Sequence, residues 1–182
     1  MNKYLGLINI GLLSGIVNTL LILVPSQFFN DDFTVIILFG AGIPYGIVTG
    51  IYFIRSLSLT RKYLQLFFWI VASGVSYLSG VFVHLSISPI TLFSPPPSSL
   101  PVGLAFGGLS GAIILTIAFH FIFHKIGLLR HSIVIVTGML IPYILFTILM
   151  SLNGENILAY ALYITWQTVI TTLLGSSILS QE

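Results

Sequence analysis

A short Gly/Pro module occurs twice within long apolar stretches of this chain. Residues 37–49 read ILFGAGIPYGIVT, and residues 135–147 read IVTGMLIPYILFT. The shared residues recur 98 positions later, so that Gly40, Ile43, Pro44, Tyr45 and Thr49 correspond to Gly138, Ile141, Pro142, Tyr143 and Thr147. A match at a fixed spacing indicates an internal repeat. The module therefore predicts that one apolar unit is written twice.

Other apolar segments extend the match. Residues 11–15 (GLLSG) resemble residues 107–111 (GGLSG) at an offset of 96, and the only two tryptophans, Trp69 and Trp166, lie 97 positions apart. Three pairs of segments thus agree on nearly one offset. The alternative is coincidence in a chain of biased composition.

Composition decides in which solvent this unit folds. The chain of 182 residues is 57% hydrophobic and 5% charged, with a mean hydropathy of +1.11. A soluble domain would be about 25% charged. A chain this apolar is expected to lie in the lipid bilayer as a single membrane domain over residues 1–182. No nucleic-acid partner is expected, because the positive net charge comes from only six Lys and Arg residues, which are dispersed along the chain. The absence of cysteine excludes disulfides and thiolate chemistry.

Six apolar segments are each long enough for a membrane-spanning helix of about 20 residues. We predict spans at 4–24, 33–54, 63–85, 103–123, 133–151 and 157–179. The expected fold is thus an all-α polytopic membrane protein. Residues 4–85 and 103–179 would be three-helix repeats joined by a Pro/Ser-rich external linker, 86–102. Because three crossings are an odd number, the second repeat would be inverted relative to the first, as in many transporters.

Charge predicts the orientation of these spans. The basic residues fall on one side of a six-span chain, at Lys3, Arg55, Arg61, Lys62, Lys125 and Arg130. The acidic residues Asp31, Asp32 and Glu155 fall on the other side. By the positive-inside rule both termini are expected in the cytoplasm, with the chain in a cell inner membrane.

Proline interrupts the helical hydrogen bonding of the repeated module. Proline lacks the N–H that would bond the carbonyl four residues earlier, which is Gly40 for Pro44 and Gly138 for Pro142. A carbonyl freed near the midplane needs a neighbour, a water or a ligand. The module is interpreted either as a packing bend or as a hinge that lines a pathway. The pathway candidates are Gly40, Pro44, Tyr45, Thr49, Gly138, Pro142, Tyr143 and Thr147.

Polar residues inside the spans carry no charge. No Asp, Glu, Lys or Arg falls in the core of a predicted span, which argues against a carboxylate-driven pump and favours an uncharged solute. Side chains that are candidates to line a path are Asn18, Gln65, Gln167, Thr168 and Thr171. Ordinary hydrogen bonds between helices are the alternative role.

Glycines and histidines suggest further contacts. Glycines repeat at four-residue spacing in spans one, two and four, which predicts close helix packing, with a homodimer or a partner subunit as the alternative. His120 and His124 share a helix face, but no third ligand completes a metal site. They are interpreted as interfacial histidines, with metal binding as a weaker alternative, and no cofactor is expected.

These features favour transport or permeation of a small, uncharged solute. The alternative is a non-transporting accessory, assembly or substrate-binding subunit of a larger membrane complex. An enzyme is not expected, because the sequence offers no complete set of nucleophile and base.

Overall fold

The computed structural model describes residues 3–26, 42–57, 61–87, 99–123, 126–151 and 155–179. These ranges hold six α-helices: α1 (Lys3–Ser26), α2 (Gly42–Ser56), α3 (Lys62–Ile87), α4 (Ser99–Ile122), α5 (Leu128–Ser151) and α6 (Glu155–Leu179). The predicted all-helical fold is confirmed for these ranges. The first part of the predicted second span, with Gly40, lies outside the described residues.

Four of the helices are long and apolar enough to cross a membrane, namely α1, α3, α4 and α5. Their outward faces are also apolar. On α1, for example, Leu13, Ile16 and Leu20 are about half exposed. Contiguous apolar surface of this kind is unfavourable in water and suits lipid. These helices support a membrane protein.

The helices form a closed ring in chain order. Each helix contacts the next, and α6 returns to contact α1. In addition, α6 contacts α2 and α4, so it is the helix with the most neighbours among the described residues. Contacts such as Gly42 with Ser73 and Gly50 with Leu66 show that α2 and α3 run antiparallel.

Glycines set the closest approaches between helices. A methyl group at Gly11 would lie 2.6 Å from the Cα atom of Thr168, and one at Gly46 would lie 2.7 Å from that of Ile70. Such distances leave no room for a Cβ atom, so glycine is required where backbones meet. The glycines of α1, α2 and α4 that face neighbours in this chain support internal packing.

An aromatic cluster fills one half of the bundle. It consists of Phe53, Trp69, Phe119 and Phe123, whose rings meet at steep angles with centroids 5.1–5.9 Å apart. Phe53, Trp69 and Phe119 are fully buried. The cluster lies toward the end of the bundle where α2 ends and α3 begins. That end carries Arg55, Arg61, Lys62 and Arg130 and is called the basic end below.

Candidate functional site

A cavity of about 230 Å³ lies between α3, α4, α5 and α6. The lining residues are Ser76, Tyr77, Gly80, Val81, His84, Leu104, Gly107, Gly108, Gly111, Pro142, Leu162 and Trp166. Most of them come from the last part of α3 and the first part of α4. The cavity therefore lies in the half of the bundle away from the basic end, and the aromatic cluster lies in the other half.

Glycines bring the helices that line the cavity into close contact. Gly80 and Gly107 face each other so closely that a methyl group at Gly107 would lie 2.7 Å from the carbonyl oxygen of Gly80. Gly108 approaches α5 in the same way, because a methyl group there would lie 2.8 Å from the Cγ atom of Pro142. Glycine therefore sets the close approach of α3 to α4 and of α4 to α5 beside the cavity.

Pro142 lies within α5 and is buried in the cavity wall. Its ring leaves the carbonyl of Gly138 without a helical partner. The indole Nε1–H of Trp166 on α6 donates a hydrogen bond of 3.1 Å to that carbonyl. The freed carbonyl predicted from the sequence is thus satisfied by a side chain of the neighbouring helix, and both Pro142 and Trp166 border the cavity.

This arrangement predicts a specific coupling between Pro142 and Trp166. Trp166→Phe should lower the free energy of unfolding by about 1–3 kcal/mol, because a buried carbonyl loses its donor. In a Pro142→Ala background the same change should cost less than about 1 kcal/mol, since the backbone N–H restored at position 142 can bond the Gly138 carbonyl. Unfolding of the four proteins in mixed micelles measures the coupling. Equal losses in both backgrounds would show that the indole is not replacing a helical bond.

The polar side chains of the cavity wall are those of Ser76, Tyr77, His84 and Trp166. The Ser76 hydroxyl donates to the Gly111 carbonyl at 2.9 Å, and the Trp166 indole N–H donates to the Gly138 carbonyl. The imidazole of His84 lies against the backbone of Gly103, and its Nδ1 atom is buried without a hydrogen-bond partner among the described residues. The lining includes no Asp, Glu, Lys or Arg. The cavity suits a small uncharged molecule that is mostly apolar.

The first copy of the module belongs to a separate polar network. Thr171 donates to the Tyr45 hydroxyl at 3.2 Å, and Trp69 donates to the Thr49 hydroxyl at 2.9 Å. Thr49 in turn donates to the Tyr45 carbonyl at 2.6 Å. The structure thus brings the predicted residues Tyr45, Thr49 and Thr171 together across α2 and α6, outside the cavity lining.

The second copy is placed differently. Tyr143 is 44% exposed, and Thr147 is exposed and donates to the Tyr143 carbonyl of its own helix at 2.9 Å. Pro44 is the third residue of α2, in a first turn that tolerates proline. Of the eight pathway candidates, Pro142 lines the cavity, and Gly138 lies directly behind it.

The remaining polar candidates are dispersed. Asn18 on α1 is fully buried, and neither amide atom has a hydrogen-bond partner within the described ranges. Gln167 is also buried, and Gln65 donates to the Ile122 carbonyl at 2.8 Å near the basic end. Thr168 donates to the Ile164 carbonyl of its own helix at 2.6 Å. None of these four lines the cavity.

His120 lies beside His131. Its ring centroid lies 5.1 Å from that of His131, and its Nδ1 atom accepts the Ile126 N–H at 3.1 Å. His124 lies outside the described residues. Within the part of the chain that the structure describes, no group of three or more His, Asp or Glu is placed to hold a metal ion.

Sequence reasoning missed His84 and the glycines as cavity residues. A usable signal existed, because Ser76, Gly80 and His84 follow at four-residue spacing and share one face of α3.

No protein-family model, curated protein or solved structure matches this chain.

Proposed function

We propose that this chain is a six-span cell-membrane protein that moves a small, uncharged solute across the bilayer. In this proposal both termini are cytoplasmic, and the basic end faces the cytoplasm. The protein acts as a carrier or pore and has no catalytic role. The observation that supports it best is a cavity confined to one half of the bundle, with a sealed half beneath it.

The sealed half makes the cavity one-sided. α3 and α4 line the cavity from Ser76 and Gly111 outward. Deeper on the same two helices, Trp69 and Phe119 are fully buried, with ring centroids 5.9 Å apart. A cavity closed on one side by packed aromatic rings resembles one state of an alternating-access cycle. A solute would enter from the external side, and the aromatic cluster would have to separate for release.

The ring of helices supports the proposed inverted repeat. If α1, α2 and α3 correspond to α4, α5 and α6, each contact in one repeat has a counterpart in the other. The α1–α2 contact corresponds to α4–α5, the α2–α3 contact to α5–α6, and the α6–α1 contact to α3–α4. All six contacts are present. The third helices differ in register. Trp69 bonds Thr49, whereas Trp166 bonds Gly138, nine residues before the counterpart of Thr49. A shift of this kind makes the two repeats unequal, and the cavity is lined by α3 of the first repeat and by α4, α5 and α6 of the second.

Uptake by reconstituted vesicles tests the proposal. The protein is placed in liposomes, and light scattering follows vesicle volume after addition of uncharged solutes that share an apolar body and differ in hydroxyl number. Transfer of an unpaired hydroxyl from water into hydrocarbon costs about 4–8 kcal/mol, so solutes with several hydroxyl groups cross bare lipid slowly. We expect at least one solute to enter faster than in protein-free vesicles.

Equal rates for every solute would reject transport by this chain alone. The accessory or substrate-binding subunit would then be the better proposal. Purification in mild detergent would be expected to recover a partner subunit at a fixed stoichiometry.

A further inference from the structure

We propose that the outer surface of α2 and α3 binds one phospholipid with an anionic headgroup, in the leaflet at the basic end. Such a site requires that the chain lie in a membrane, and it is independent of solute transport. Two features of this surface carry the proposal: an apolar groove that follows the contact between the two helices, and three exposed cations where the groove ends.

Exposed apolar side chains run along both helices at four-residue spacing. On α2 they are Ile43, Ile47 and Ile51, and on α3 they are Tyr63, Phe67, Val71 and Val75. Each isoleucine directly follows a glycine that packs against α3, and Phe67 directly follows Leu66, which packs against α2. One residue turns a helix by about 100°, and in an antiparallel pair this turn carries both rows to the same side. The two rows therefore border one groove, called the α2–α3 groove below.

The α2–α3 groove ends in cations. Arg55 continues the isoleucine row of α2 by one more four-residue step, and Arg61 and Lys62 lie at the start of α3. The helices pair so that Gly50 meets Leu66, and the same register places Arg55 at the level of Arg61. All three cations are exposed. Their positive charge complements an anionic headgroup at the membrane surface.

No carboxylate in the described part of the chain compensates these cations. Glu155, the one Asp or Glu in the described ranges, is the first residue of α6. The last part of α6 packs against the start of α1, where Gly175 meets Leu7, and Gly6 lies beside Tyr52 near the end of α2. Since α6 ends at the basic end, Glu155 lies at the opposite end of the bundle. An anionic headgroup therefore meets only positive charge from the described residues of the groove end.

The length of the groove matches one leaflet. Ile43 lies twelve residues before Arg55, which corresponds to about 18 Å along a helix. Half of the hydrocarbon core of a bilayer is about 15 Å thick. A phospholipid with its headgroup at the cations can thus lay one acyl chain along the whole groove. A free phosphate would use the cations and leave the groove without a role.

Quenching of a fluorophore in the groove by labelled lipids tests this site. The chain contains no cysteine, so Val71→Cys carries a single bimane label. The full chain is reconstituted in phosphatidylcholine vesicles with increasing amounts of a lipid that has a nitroxide on one acyl chain and either a phosphatidylglycerol or a phosphatidylcholine headgroup. The two quenching curves give the ratio of the association constants. We expect the anionic lipid to bind roughly fivefold more strongly, because basic residues attract its headgroup.

Charge variants test the role of the three cations. Combined Arg55→Gln, Arg61→Gln and Lys62→Gln should bring the ratio to about one, while quenching by the phosphatidylcholine probe stays the same and shows that the label still faces lipid. Arg130→Gln is the control, because it removes a charge at the same end on α5, which contacts neither α2 nor α3 within the described residues. Equal binding of both lipids to the unmodified protein, or an unchanged ratio in the triple variant, would overturn the site.

A second label position separates the groove from a general attraction of anionic lipid. Leu140 on α5 is 41% exposed and lies at a similar depth, so Leu140→Cys should give a ratio near one. A ratio as high as at Val71 would overturn a specific site. Soluble glycerol phosphate should lower the ratio at Val71 no more than sodium chloride of the same ionic strength. A larger loss would assign the cations to a free phosphate and overturn the lipid site.

Discussion

Trp69→Ala should lower the free energy of unfolding by about 3–5 kcal/mol, the range for truncating a large buried aromatic side chain. Trp69 is fully buried, and its ring contacts those of Phe53, Phe119 and Phe123. Its Nε1–H also donates to the Thr49 hydroxyl at 2.9 Å. In lipid, helix association depends on such packing contacts and hydrogen bonds, so their loss lowers the stability of the bundle. Reversible unfolding in mixed micelles measures the change.

Phe67 on the same helix provides the matched control. It is 60% exposed on the outside of the bundle, where lipid tails replace its contacts after truncation. Phe67→Ala should therefore change stability by less than about 0.5 kcal/mol. Similar losses for the two variants would mean that the aromatic cluster is not packed as described.

Leu104→Trp should reduce solute uptake to the rate of protein-free vesicles. Leu104 is half-buried in the cavity wall, near the start of α4. The larger indole can turn into the open space, so folding is preserved while the volume for a solute is lost. The measurement is the vesicle uptake assay, with unfolding in micelles to confirm that the variant is folded.

Val102→Trp is the control for this change. Val102 lies on the same helix, is 38% exposed and is not part of the cavity lining. The same indole placed there should leave uptake unchanged. If Leu104→Trp folds and still transports at the original rate, the solute does not pass through this cavity.

Part of this fold follows from local sequence. Long apolar segments predict helices wherever they occur, and glycine at four-residue spacing predicts a close approach, as Gly46 against Ile70 shows. The need of the Gly138 carbonyl for a partner also follows from Pro142 four residues later. The identity of that partner does not, because the register between α5 and α6 is set by packing along both helices.

The repeated module shows where local sequence stops being informative. Tyr45 and Tyr143 follow the same Ile-Pro dipeptide, yet Tyr45 is buried against α6 and Tyr143 is 44% exposed. Which side of a helix is buried depends on the neighbours that surround it, and α2 and α5 contact them in different registers. His84 was missed as a cavity residue for the same reason, since its place in the wall depends on the packing of α3 against Gly107 of α4.

Thiol accessibility tests the one-sided cavity most directly. The chain contains no cysteine, so a single introduced thiol reports one position. Leu104 lines the cavity, and Leu115, about three turns deeper on α4, is 1% exposed. Oriented vesicles carrying Leu104→Cys or Leu115→Cys are treated with a membrane-impermeant maleimide from either side. We expect Leu104→Cys to react only from the side away from the basic end, and Leu115→Cys to react from neither. Reaction of Leu104→Cys from the basic side, or from neither side, would contradict a cavity that opens to one face of the membrane.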